Sequence, residues 1–168
     1  EWRPLAGLTV NYGARYDRYE GLTREQQLSP RLGLVYELSG GTTLHAGYAR
    51  YFTPPPTEKV RVETVALFAG TSAAPNSTLN DPVRSERSHY YDVGVLTKPT
   101  PALTLGLDGY YREVRDLIDE GQFGSALIFA PFNYAAGRIY GVEFSGSWRA
   151  GGTSAYLNAA YGSARGRD

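Results

Sequence analysis

Apolar and polar residues alternate with period two through most of the chain. Residues 102–111 show it most plainly. Leu103, Leu105, Leu107, Gly109 and Tyr111 form one face, and Thr104, Gly106, Asp108, Tyr110 and then Arg112 form the other. Strict alternation of this length is a strand signal that no helix reproduces. The first segment repeats it, with Ala6, Leu8, Val10, Tyr12, Ala14 and Tyr16 against Gly7, Thr9, Asn11, Gly13, Arg15 and Asp17. Further strands are predicted over Leu28–Leu38, Thr42–Phe52, Ser88–Leu96, Tyr134–Arg149 and Thr153–Ser163, giving seven strands and no helix.

The connections are of two kinds. Short turns fall at Ser39-Gly40-Gly41, Lys98-Pro99-Thr100-Pro101 and Ala150-Gly151-Gly152, and long polar loops at about 18–27, 53–87 and 116–133. Short and long in alternation describe an up-and-down antiparallel meander with distinguishable ends. Bacterial outer-membrane barrels are built this way, with brief periplasmic turns and longer extracellular loops, whereas soluble sandwiches use Greek-key connections. Strand length agrees, because a membrane span needs roughly 9–11 tilted residues and soluble strands average about 5–6. The expected fold is therefore all-β, an antiparallel up-and-down transmembrane β-barrel, present as a segment of about seven strands.

Aromatic residues sort to the strand ends of the apolar face. Trp2, Tyr36 and Trp148 lie near the short turns; Tyr12, Tyr16, Tyr48, Phe52, Tyr91, Tyr111 and Tyr161 lie near the long loops. With Leu, Val, Ala and Gly between them they form two girdles around an apolar band. Trp2, Tyr16, Tyr36, Tyr48, Tyr111 and Trp148 are the expected lipid-facing girdle. Arg15, Arg31, His45, Asp92 and Asp108 lie on the opposite face, as the polar wall of the lumen.

Composition narrows the chemistry. The chain has 168 residues, and 17 Lys+Arg balance 17 Asp+Glu, so no positive excess awaits a nucleic acid. It has no cysteine and only two histidines, which removes disulfides, thiol nucleophiles and cysteine-ligated zinc. Neither a metal site nor a cofactor is expected. The 20 glycines and 14 tyrosines favour turns and strands. A mean hydropathy of −0.37 rules out a bundle of membrane helices but not a barrel, whose strands are only half apolar. Glu1-Trp2-Arg3-Pro4 is no signal peptide, so an exported protein would be represented here by a mature or excised piece.

Several stretches resemble the barrel of TonB-dependent outer-membrane receptors. Asn80-Asp81-Pro82-Val83-Arg84-Ser85-Glu86-Arg87-Ser88-His89-Tyr90-Tyr91-Asp92-Val93-Gly94-Val95 is similar to the family's run in which an Asn-Pro segment precedes Pro-Glu, a basic residue, Ser and Tyr-Glu-x-Gly. Ser85 stands where that run has proline and Asp92 where it has glutamate. Asn133–Phe144 resembles the family's Asn-x-Gly…Gly-Val-Glu strand. Leu28–Tyr36 resembles its Ser-Pro-Arg strand, and Thr43–Pro54 its aromatic-x-x-Pro strand end. The resemblance runs along nearly the whole chain, in the family's order.

It implies TonB-coupled uptake, across the bacterial outer membrane, of a scarce ligand such as a siderophore, cobalamin or glycan. It also implies a barrel of about 22 strands with a plugged lumen. No plug and no TonB-contacting box are recognisable, so the chain is expected to be a single barrel segment (1–168) from the C-terminal half. Its partners would be the remaining strands and plug of the same receptor, TonB through that absent plug, and membrane lipid and lipopolysaccharide. The alternative is a small self-contained outer-membrane barrel with a structural or adhesive role, closed by oligomerisation or by an eighth strand around Val60–Phe68.

No enzyme is expected. Strand parity points His45 into the lumen and His89 to the outer rim, so no nucleophile–base pair converges. Arg15, Arg31 and Arg112 face inward among Asp17, Asp92 and Asp108, as cross-strand ion pairs or as a grip on an anionic ligand. Tyr51, Tyr90 and Arg112 lie near the long loops, where the resemblance implies a ligand vestibule. Arg18 and Arg50 sit just beyond the apolar band, placed for lipopolysaccharide phosphates or for water. Pro54-Pro55-Pro56 and the partial alternation after it suggest an extracellular hairpin. Asn76-Ser77-Thr78 spells a glycosylation sequon, which carries no meaning in a bacterial host.

Overall fold

A computed structural model describes residues 1–21, 23–56, 70–71, 83–123 and 128–168. The proposed hairpin or strand at Val60–Phe68, the Asn76-Ser77-Thr78 sequon and Asn80–Pro82 lie outside the described residues.

The described residues form one antiparallel sheet of eight strands in sequential order: β1 (Trp2–Leu5), β2 (Leu8–Glu20), β3 (Arg24–Leu38), β4 (Thr42–Thr53), β5 (Glu86–Thr100), β6 (Leu103–Phe123), β7 (Ile128–Ala150) and β8 (Thr153–Arg167). Each strand pairs with its neighbours in the sequence, and β1 and β8 are the two edges, so the sheet is an open part of a barrel. The strand beyond the expected seven is β1, whose four residues, one of them Pro4, are too few to show a period.

The strands also run further than the alternation suggests. β2 runs to Glu20 and β3 begins at Arg24, and β6 and β7 continue to Phe123 and from Ile128. In these outer stretches both faces carry charge, as in Arg18, Glu20, Arg24 and Glu25. Backbone pairing continues where hydrophobic alternation has ended. At Asp116, φ is +55° while the register with β7 stays unbroken from Arg115↔Ala136 to Leu117↔Tyr134. The side-chain phase slips there, which is why the sequence reads as a loop from 116. The short turns need no such argument. Gly40 and Gly41 both have φ above +70°, a region open to glycine without a steric cost.

Register aligns like residues in rows across the strands. On the apolar face Tyr48, Tyr91, Tyr111 and Tyr140 are successive partners. Their rings meet at 5.2 Å (Tyr48–Tyr91) and 6.5 Å (Tyr91–Tyr111). Tyr140 extends the expected girdle by one ring. Phe52 leaves it: that ring is buried, with the Arg87 guanidinium 5.6 Å from its centroid, rather than turned outward. Below the tyrosines run Ala46–Val93–Gly109–Val142 and Leu44–Val95–Leu107–Phe144.

These apolar side chains have no protein cover. Val93 is 62% exposed, Val142 50% and Leu107 49%. The buried side chains Phe52, Val83, Val114 and Phe132 sit in the long-loop half. A continuous uncovered apolar face of this extent is an interaction surface, and in a transmembrane barrel it meets acyl chains.

Leu107 lies midway between Tyr111 and Leu103 on the apolar face of β6, while Ser145 lies on the polar face of β7. In the full-length protein, Leu107→Arg should lower stability by about 2–4 kcal/mol if the apolar face meets a membrane, as a charge at mid-membrane does. Ser145→Arg should change it by about 0.5 kcal/mol or less. Urea unfolding followed by the gel-mobility shift of folded barrel reads both; equal effects would contradict the assignment of faces.

Candidate functional site

The polar face is built of long side chains lying over small ones. Asp92 is paired with Gly47, and Gly94 lies between His45 and Asp108. Tyr110 lies beside Gly141, and a Cβ on Gly141 would come 2.5 Å from the Tyr110 hydroxyl and 2.6 Å from the Tyr161 carbonyl oxygen. Glycine there is what lets the ring lie flat along the wall.

Three rings run along this face. Tyr51 meets Tyr90 edge to face at 6.2 Å, and Tyr90 stacks on Tyr110 at 6.4 Å with the rings 17° apart. The ladder joins β4, β5 and β6 and offers a continuous aromatic surface. The expected Tyr51 and Tyr90 are thus neighbours, and Tyr110 completes them.

Arg112 is the register partner of Tyr90, but its guanidinium is engaged elsewhere. It donates to the Glu86 carboxylate and, at 3.0 Å, to the Ser88 hydroxyl. Its acidic partner is therefore Glu86 and neither Asp92 nor Asp108. Glu86, Ser88 and Tyr90 share one face of β5, so the guanidinium reaches past Tyr90 to Ser88, two residues along, and to Glu86, four along.

The two aspartates flank His45, whose Nε2 is 3.0 Å from Asp108 and 4.0 Å from Asp92. Arg15 pairs with Asp17 at 3.0 Å, two residues along the same strand and not across strands. Arg31 makes no ion pair among the described residues and lies across Gly13, where a Cβ would come 3.1 Å from its Nε. His89 is on the other face, its Nδ1 2.9 Å from the Tyr48 hydroxyl. The two histidines do not converge. Among the described residues no group of three or more His, Asp or Glu side chains could hold a metal ion.

A polar clamp closes the long-loop end. Glu86 is buried and also accepts from the Ile118 amide at 3.1 Å. Glu25 accepts from the Ser85 amide at 2.8 Å and from Arg87 at 2.6 Å. Asn133 both accepts from the Arg84 amide at 2.8 Å and donates to the Arg84 carbonyl at 3.1 Å. Ser85, where the resemblance expects proline, supplies an amide N–H that proline lacks. Burial tends to raise the Glu25 pKa; hydrogen bonds from Thr23, Ser85 and Arg87 outweigh it and hold the carboxyl below its ordinary value. Glu25 stands on the stretch of β3 beyond the apolar band.

The model of the TonB dependent receptor-like β-barrel matches residues 1–168. This chain belongs to that family. Among solved structures, the FrpB iron transporter of Neisseria meningitidis (F3-3 variant) is similar, with TM-score 0.71 and 17% identity over 96% of this chain. Its F5-1 variant in the apoprotein form gives TM-score 0.71 at 16% identity. The copper transporter OprC gives TM-score 0.59 and 21% identity over 83% of this chain and 21% of its own. The chain spans about a quarter of FrpB, 24%. No curated protein matches.

Glu86→Ala should destabilise the full receptor by about 2–4 kcal/mol, because Arg112 is left inside without its carboxylate. Arg112→Ala alone should cost less, since Glu86 keeps the Ile118 amide. A neutral Glu86→Ala in urea unfolding would contradict the clamp. Because the Glu25 pKa is depressed on folding, its contribution is complete above the ordinary carboxylate range and is lost as pH falls through the folded value. Stability measured across that acid range should fall less steeply in Glu25→Gln than in the parent; parallel curves would contradict the assignment.

Proposed function

We propose that this segment forms one flank of a receptor that carries a scarce ligand across the bacterial outer membrane. The polar face lines the lumen and the apolar face meets lipid. Trp2, Tyr16, Tyr36, Tyr48, Tyr111 and Trp148 mark the borders of the membrane. The remaining strands pair at β1 and β8, since unpaired edge groups in lipid each cost several kcal/mol. TonB acts through a plug belonging to the rest of the receptor. Solved relatives about four times as long favour this over a small self-contained barrel.

The observation that carries the ligand site is the Tyr51–Tyr90–Tyr110 ladder beside the Arg112–Glu86 pair. The rings offer apolar area and edges, while Arg112, bound to Glu86, holds the wall instead of presenting a free charge. Such a surface suits the body of a bulky chelate better than a small anion. The named cargo of the neighbours, iron and copper, supports a metal chelate such as a ferric siderophore. Uptake is binding, plug displacement and release, with no bond made or broken by these residues.

Uptake of radioactive iron presented as ferric chelates to intact cells tests both levels. Deleting the full receptor should abolish energised uptake of at least one chelate, and unchanged uptake of all of them would overturn the ligand class. Tyr51→Ala with Tyr90→Ala should raise its half-saturation concentration about tenfold. Unchanged half-saturation, with deletion still abolishing uptake, would overturn the site alone.

A further inference from the structure

Beyond the tyrosine row the apolar face turns basic. Arg50, His89, Glu113, Arg138 and Arg165 are successive cross-strand partners from β4 to β8. The next row carries Arg87 and Arg115. Arg87 is committed to Glu25 at 2.6 Å and to Asp116 at 3.7 Å. Arg50, Arg115, Arg138 and Arg165 make no ion pair among the described residues, and neither does Glu113, the one carboxylate of the row. The β2–β3 side differs, for Arg18 is neutralised by Glu20. Arg24, opposite Glu20, is the cation left there without an ion pair among the described residues, so the larger basic excess lies on β4–β8.

Arg50 adds an observation of another kind. Its Nε is buried and has no acceptor. With His89, Glu113, Arg115 and Ala136 it lines a recess of about 440 Å³. A buried guanidinium N–H without a partner costs stability, and phosphate oxygens match the guanidinium fork in charge and geometry.

We infer that this recess is a docking site for the phosphorylated headgroup of an outer-leaflet lipid. The surface beneath it selects a lipid over a free anion. The tyrosines adjoin the recess and the Leu–Val rows follow them, so one molecule can lay acyl chains on the band and phosphates against Arg50 and Arg115. Because barrel strands are inclined, a cross-strand row climbs relative to the membrane plane. The arginines therefore cover a range of headgroup depth instead of one level. The sequence pairs Arg50 with Arg18; the structure groups it with Arg115 and Arg138. The inference rests on the membrane placement proposed above.

The test uses the full receptor in zwitterionic detergent, titrated with lipid A carrying both phosphates and followed by native mass spectrometry. Combining Arg50→Gln, Arg115→Gln and Arg138→Gln should weaken binding by about fivefold for each arginine removed. Arg15→Gln, on the polar face, should leave it unchanged. Lipid A stripped of its phosphates should bind the parent no better than the triple variant. Equal binding by parent and triple variant, equal binding of the stripped lipid, or displacement by inorganic phosphate as effective as by lipid A would each overturn the site. Should the triple variant not fold, Arg115→Gln alone, at an exposed position of the recess, carries the same expectation of about fivefold. Flotation with outer-membrane vesicles keeps the two readings apart. A parent receptor that does not float contradicts the placement, whereas a floating triple variant with undiminished lipid binding contradicts the recess alone.

Discussion

A peptide group left unpaired in hydrocarbon costs several kcal/mol, and the antiparallel ladder removes that cost for the residues inside its edges. Everything else about the chain follows from keeping that ladder continuous. Side chains are forced to alternate, so each strand divides its residues between two environments. The register of seven consecutive pairings then turns single residues into rows. Tyrosines meet tyrosines, aliphatics meet aliphatics, and arginines collect beyond them. No central core is needed if, as proposed, lipid covers the apolar face and pairing supplies the rest of the stability.

The polar face obeys a second constraint, set by packing. Large polar side chains on neighbouring strands cannot all lie flat, so glycines alternate with them. Gly47 and Gly94 make room for Asp92, His45 and Asp108; Gly141 and Gly162 make room for Tyr110. The result is a wall with its ionic groups mostly satisfied and its rings displayed. At the long-loop end Glu86, Glu25 and Asn133 tie the entry of β5 to β3, β6 and β7. The wall is thereby braced at its long-loop end.

Much of this was legible in the residues. Alternation located the long strands, Gly40-Gly41 and Gly151-Gly152 located the short turns, and parity separated His45 from His89. What escaped has physical causes. β1 is too short to show a period. At the outer ends of β2 and β3 both faces carry charge, so alternation ends before the strands do. Asp116 breaks the side-chain phase without breaking the register. The Arg112–Glu86 pair joins residues 26 apart, and the Ser85–Glu25 bond residues 60 apart, distances at which no local pattern operates. Parity held a usable signal for the first, since Glu86 and Tyr90 share a face and Tyr90 opposes Arg112. For the second there was none.

The central claim is that one face of this sheet meets lipid and the other water. The segment contains no cysteine, so, with any cysteine elsewhere in the full receptor replaced, nitroxide labels can be placed singly at each position from Leu103 to Arg112 in a bilayer. Collision with oxygen, which concentrates in hydrocarbon, and with a water-soluble nickel complex should alternate strictly. Leu103, Leu105, Leu107, Gly109 and Tyr111 should report lipid, and Thr104, Gly106, Asp108, Tyr110 and Arg112 should report water. Equal access of the nickel complex to both sets would contradict the transmembrane reading of this chain.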